Sequence, residues 1–212
     1  MKKHVLCIGD SNTHGYCADP NDCADHGVRF NEDERWTCLL QKALGEGVLV
    51  TEEGLSGRTT VFEDPIHENM PAFPMITALL KSHEPVDLLV IMLGTNDSKE
   101  RFSANAACIS MGMDRLIAKA MQVDCWPASG PNILLIAPAP IEDGFFDAVM
   151  GEGCIEKTRG LAEGYAKVAK QRGVAFLDAK GCEMSPVDHM HLSRLGHAQL
   201  AERLAQLVPT LL

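Results

Sequence analysis

The sequence predicts a three-layer α/β/α sandwich built on a five-stranded parallel sheet, and three observations carry that expectation. Short apolar runs without polar alternation recur along the chain, the clearest being Leu88-Leu89-Val90-Ile91-Met92-Leu93, and such runs suit strands covered on both faces. Segments with apolar residues at helical spacing lie between them. Each run closes on glycine, proline or polar residues, which punctuate a strand turning toward a helix. Strands alternating with helices through right-handed crossovers put a parallel sheet between two helical layers.

Taken in order, strands are expected at residues 5–8, 48–50, 86–93, 132–137 and 174–177. Residues 16–34 form a long polar loop, and loops beyond about 12–15 residues tend to serve as lids or binding loops. Trp36, Leu39, Leu40, Ala43 and Leu44 share one helical face that stops at Gly45. The proline-bearing stretch 61–74 is expected to be irregular, followed by a short helix over 76–81. Ser103 is expected to cap a helix reaching residue 123, with Ile109, Met113, Leu116, Ile117 and Ala120 inward. A further helix covers 154–172 and ends at Gly173. Ser193 caps the last helix, whose buried stripe is Leu195, Leu200, Leu204 and Leu207. No repeat or linker divides the chain, so one domain over 1–212 is expected.

Bulk properties remove several functional classes. A net charge of -10 with no long basic run argues against a nucleic-acid partner. The apolar run after Met1-Lys2-Lys3 stops at Ile8, too short for a secretory leader, and no stretch approaches the roughly 18 apolar residues of a membrane span. Eight cysteines without a Cys-x-x-Cys pair read as small buried hydrophobes in a reducing compartment. The expectation is a cytoplasmic protein with no membrane partner.

All strands of a parallel sheet finish on one edge, and ligands bind outside those carboxyl ends. Ser11 follows the first strand, Gly57 the second, Asn96 the third, and Asp188 and His191 the fifth. These residue types fit acyl transfer. Ser11 is the candidate nucleophile, a hydroxyl that needs a base, and His191 is the candidate base. Asp188, three residues earlier, can hold the other ring nitrogen and fix the tautomer. The Ser11 and Gly57 backbone N–H groups and the Asn96 amide are candidates for the oxyanion hole.

Four motifs in order carry a resemblance: Gly9-Asp10-Ser11, Gly57 within Leu55-Ser56-Gly57-Arg58-Thr59-Thr60, Gly94-Thr95-Asn96-Asp97, and Asp188-His189-Met190-His191. The sequence resembles the SGNH, or GDSL-type, hydrolase family over nearly its whole length. Arg35-Trp36-Thr37 and Ile91-Met92-Leu93-Gly94 bring it nearer the bacterial arylesterase/acyltransferase group. The resemblance implies a flavodoxin-like strand order, ester hydrolysis or acyl transfer on a small-molecule ester without metal or cofactor, and subunit contacts in a homo-oligomer. A carbohydrate acetylesterase would use the same machinery. One position departs from the family: its leucine after the serine is Asn12 here.

Competing readings attach to several residues. Asp188, His189, His191 and nearby His197 contain zinc-ligand types, but closely spaced loop histidines are weak evidence for a metal. Gly9 to Gly15 lacks the spacing of a nucleotide-binding loop, which argues against nucleotide binding, and the non-enzymatic alternative is a flavodoxin-like binding module that keeps the turn glycines for shape. Arg58 is expected to pair with a carboxylate or touch substrate. Trp36 and Cys7 read as core, His197 as core or surface, His14 as a turn residue, and Asp97 as a loop brace rather than the acid. Loops 16–34, 61–74 and 141–153 are expected to wall the site.

Overall fold

The computed structural model describes residues 2–212. Five strands, β1 (Lys3–Gly9), β2 (Val48–Gly54), β3 (Leu88–Met92), β4 (Ile133–Ala137) and β5 (Ala175–Asp178), form one sheet in the order β2-β1-β3-β4-β5. Every neighbouring pair is parallel. This is the expected sandwich, in the flavodoxin-like order.

Alternate strand residues feed opposite layers. Leu6, Ile8, Leu89, Ile91 and Leu135 pack with α3 (Ala72–Ser82), α4 (Ala106–Met121) and α6 (Leu161–Arg172). Val5, Cys7, Leu88, Val90 and Leu134 pack on the other face with α2 (Trp36–Leu44) and α7 (Arg194–Leu207). Burying each large aliphatic side chain contributes roughly 1.5–3 kcal/mol, so the two layers hold the sheet independently of the loops at its edge.

Several boundaries differ from expectation for identifiable reasons. β2 continues through Glu52-Glu53-Gly54 because β1 pairs with it along its whole length, Gly9 standing opposite Gly54. An edge strand tolerates those glutamates. α3 begins at Ala72, ahead of the expected 76, because Pro74 occupies the first turn, where no N–H partner is needed. Asn105, not Ser103, caps α4, its side chain accepting the Cys108 N–H at 2.9 Å. Ser103 is left-handed, with φ 52°.

The expected 154–172 helix divides into α5 (Cys154–Arg159) and α6 around Gly160, where a Cβ would lie 2.8 Å from that of Ala106. On α7 the cap is Ser193, as expected, yet Leu195 is exposed and His197 takes an inward position. Leu207 is only half-buried. The inward face follows Gly196, whose Cβ would stand 2.0 Å from the Glu183 carbonyl oxygen, so that glycine lets α7 lie close against the loop before it.

Candidate active site

Register delivers the site. Gly9 of β1 stands opposite both Gly54 of β2 and Met92 of β3, so three strands finish level with one another. Ser11, Gly57 and Asn96 follow within a few residues. Ser11 opens the short helix α1 (Ser11–His14), capped by Asp10, whose carboxylate accepts the Asn12 N–H at 3.0 Å. A side chain at Gly9 would meet Thr13 at 2.0 Å and the Met92 carbonyl at 2.9 Å, so only glycine lets β1 turn into α1 here.

His191 arrives from the loop between β5 and α7, and its Nε2 lies 2.8 Å from Ser11 Oγ. Its Nδ1 lies 2.5 Å from Asp188 Oδ2. A carboxylate can only accept, which assigns the proton to Nδ1 and leaves Nε2 to accept from the serine hydroxyl. Asp188 Oδ1 takes the Met190 and His191 N–H groups, each at 3.1 Å. Burial opposes the Asp188 charge, but the His191 ring and these two N–H donors outweigh it and hold the pKa below the ordinary carboxylate value.

Asn96 begins a 3₁₀ turn directly after β3 and donates its Nδ2 to Asp10 Oδ2 at 3.5 Å. Gly57 sits in a left-handed turn after β2, φ 89°. Among the described residues, neither the Ser11 nor the Gly57 N–H is taken by a backbone acceptor. Ser11, Gly57, Asn96 and His191 all line one cavity of about 530 Å³. The structure therefore brings together five expected residues, with Asp188 behind the ring. Residues of all three expected wall loops also reach this cavity, among them Tyr16, His67, Met70, Asp147, Val149 and Met150.

The remaining readings resolve in turn. Asp97 faces the Thr60 loop, its Oδ1 accepting the Thr60 N–H at 2.9 Å and the Thr60 hydroxyl, which is the role of a brace. Burial pushes both Asp10 and Asp97 up to about 6. Among the described residues Arg58 neither pairs with a carboxylate nor lines the cavity. It is buried and gives Nη1 to the Gly9 and Glu53 carbonyl oxygens, tying β1 to β2, because its position beneath the turn faces backbone rather than solvent. Trp36 is core, with Nε1 donating to the Asn12 carbonyl at 3.1 Å. His197 is core too: Nδ1 accepts the Trp36 N–H, and burial lowers its pKa to about 3, so the ring is neutral. Cys7 is fully buried and its thiol pKa is pushed far up, as expected of an inert core cysteine. His14 is half-buried beside α1. Among the described residues no three histidine, cysteine or carboxylate side chains converge as a ligand set.

Three contributions were not read from sequence. Asn12 fills the departure from the family with hydrogen bonds: Oδ1 accepts the Leu192 N–H at 2.8 Å and Nδ2 donates to the Met190 carbonyl at 3.4 Å. Tyr16 lies against the His191 ring, centroids 4.5 Å apart. Its place at the head of a long loop was the only signal for it. Lys99 and Arg101 line the cavity beyond Asn96, and nothing in the motif pattern marked them.

A parallel α/β sandwich with serine, histidine and aspartate in hydrogen-bonded series at its strand ends defines a hydrolase of the GDSL class. The chain belongs to the GDSL-like Lipase/Acylhydrolase family, whose sequence profile matches residues 7–199. It is similar to an acetylxylan esterase from Xylanibacter ruminicola, 26% identical across 95% of this chain and 42% of that protein. The chain thus spans less than half the length of that curated relative. Among solved structures it superposes on a carbohydrate acetylesterase from Sinorhizobium meliloti with a TM-score of 0.89, at 32% identity and full coverage of both chains. The native aryl esterase of M. smegmatis gives 0.88 at 33% identity, covering 99% of this chain and 100% of that one.

Proposed function

We propose that this chain hydrolyses small acyl esters through an acyl-enzyme on Ser11, with His191 as general base and Asp188 holding the ring. The observation that carries the reading is the series Ser11 Oγ, His191 and Asp188, spaced 2.8 and 2.5 Å. In the first half-reaction Oγ attacks the ester carbonyl carbon and its proton passes to Nε2. The tetrahedral oxygen is held by the Ser11 and Gly57 N–H groups and the Asn96 amide. Its collapse breaks the bond to the alcohol oxygen, which takes the proton from Nε2. Water then repeats the sequence on the acyl carbon, giving carboxylic acid and free Ser11.

Acyl transfer belongs to the same reading. Met70, Val149, Met150 and Met190 give the mouth an apolar wall that favours an alcohol over water as acceptor. A carbohydrate acetylesterase is the second reading, supported by the polar side of the same cavity, where Tyr16, Ser56 and Asn96 can face hydroxyl groups. Rates on an aryl acetate and on acetylated xylose separate the two. The reading includes one domain acting in a reducing compartment, with all eight cysteines free, and self-association through exposed Ile66, Phe146 and Val149 around the mouth. Light scattering tests the last point.

A serine-directed fluorophosphonate tests the chemistry itself. A wild-type adduct that disappears in Ser11→Ala is expected, and no adduct on the wild type overturns the proposal.

A further inference from the structure

A chain of net charge -10 nonetheless places two cations, Lys99 and Arg101, on the wall of the cavity that holds Ser11. They share a single carboxylate, Asp64, whose side chain is fully buried. Arg101 takes most of it, Nε reaching Oδ1 at 3.0 Å and Nη2 reaching Oδ2 at 2.7 Å. Its Nη1 donates to the Val149 carbonyl at 3.1 Å, so the guanidinium is largely engaged. Lys99 receives what is left, one contact from Nζ to Asp64 Oδ2 at 3.4 Å. Asp147, on the facing loop, gives Oδ1 to the Val149 and Met150 N–H groups and makes no ion pair with either cation among the described residues.

Lys99 is also 94% buried, its residue exposure being 6%, and among the described residues its ammonium, with three donors, has one long partner. Burial first and the Arg101 charge second pull its pKa below the ordinary lysine value, against the opposing pull of Asp64. An ammonium desolvated in this way gains from an anion placed in the cavity. Asp97 and Asp147 add negative charge nearby, but neither pairs with Lys99, whose ammonium keeps donors for a carboxylate acceptor in the cavity.

We propose that Lys99 holds a carboxylate carried by the substrate, so that the esters this chain turns over best are those with a second, ionised carboxyl group. The assignment rests on the esterase reading above and names its substrate class. Two ester pairs test it: the 4-nitrophenyl hemiester of glutaric acid against its methyl ester, and 4-acetoxybenzoate against methyl 4-acetoxybenzoate. The first pair carries the charge on the acyl side and the second on the alcohol side. In wild-type enzyme the ionised member of one pair should be favoured about tenfold in kcat/KM, and in Lys99→Met the ratio should fall to near one. Arg101→Gln should lower it as well, because Asp64 then takes the ammonium for itself. A wild-type ratio near one in both pairs, or a ratio that survives Lys99→Met, overturns the proposal.

Benzoate binding followed by calorimetry reads the same site without turnover, and it should weaken about tenfold in Lys99→Met. No binding, or equal binding by the two proteins, counts against Lys99. Failure of the esterase reading is a different result: neutral and ionised esters alike remain intact while benzoate still binds.

Discussion

The side-chain carbonyl of Asn12 accepts the Leu192 N–H at 2.8 Å, and its amide reaches the Met190 carbonyl at 3.4 Å. Asn12 thus follows Ser11 in the chain and grips both neighbours of His191 across sequence separations of 180 and 178. The two halves of the hydrogen-bonded series are clamped by one buried side chain. Asn12→Leu restores the residue that the family resemblance places here but leaves the Leu192 N–H without its acceptor, a loss of about 1–3 kcal/mol. Expected are a lower melting temperature and a fall in kcat larger than any rise in KM. Unchanged kcat would show that the loop holds His191 without this clamp.

Asp188→Asn should lower kcat by about 10⁴, because the amide no longer selects the Nδ1–H tautomer. Circular dichroism should remain that of the wild type, since the two apolar layers do not depend on the loop. Steady-state kinetics on an aryl acetate checks the first point, and near-normal turnover would mean another group orients the ring.

Asp97 makes stability depend on pH in an unusual direction. Burial raises its pKa from 3.8 to about 6, and its Oδ2 is buried with no partner among the described residues. Between those values the native state keeps a proton that the unfolded chain has released, so stability falls as pH rises through the window. Asp97→Asn removes this dependence and should gain on the wild type by on the order of 1–3 kcal/mol between pH 4 and 7. Urea unfolding at the two pH values measures the gain, and an offset independent of pH would contradict the buried acid.

Asp64 works in the opposite sense. Burial raises its pKa, but the Arg101 hydrogen bonds, the Ile66 N–H and the Lys99 charge outweigh it and hold the carboxyl far below its ordinary value. Its stabilisation is full above the unfolded pKa and drains away as acid is added below it. Asp64→Ala at neutral pH leaves Lys99 and Arg101 without their shared partner, which typically costs about 3–5 kcal/mol. A melting temperature close to that of the wild type would show that water satisfies both cations.

Gly54→Ala tests the seat of α1 against β2. The new Cβ would fall 2.2 Å from the His14 nitrogen and 2.6 Å from the Thr13 carbonyl carbon, both backbone atoms that cannot swing aside. Overpacking of this kind costs about 1–3 kcal/mol, and here it pushes on the helix that carries Ser11. Activity should fall along with stability, and full activity would mean that α1 shifts as a unit.

The layered fold was legible because each strand writes its burial locally: Leu88 to Leu93 is apolar throughout, and a continuous run has few alternatives to a strand covered on both sides. The five candidate residues were legible for a related reason, since a parallel sheet sends every strand end to one edge whatever the strand order. Boundaries were less so. β2 runs through two glutamates because it is an edge strand paired along its length with β1, and α6 separates from α5 where Gly160 meets Ala106 on another helix.

Sequence alone, then, settled the layers, the sheet edge at which the loops gather and the chemical types found there, because apolar period and turn residues are properties of neighbours along the chain. Tertiary structure decided that Asn12 binds beside His191, that Tyr16 lies on its ring, that Arg58 ties backbone, and that Lys99 is left short of partners. Each of those outcomes depends on groups tens to nearly two hundred positions away, brought within 3 to 5 Å by sheet register and loop packing. No local pattern encodes such a meeting, since it exists only once the layers have closed.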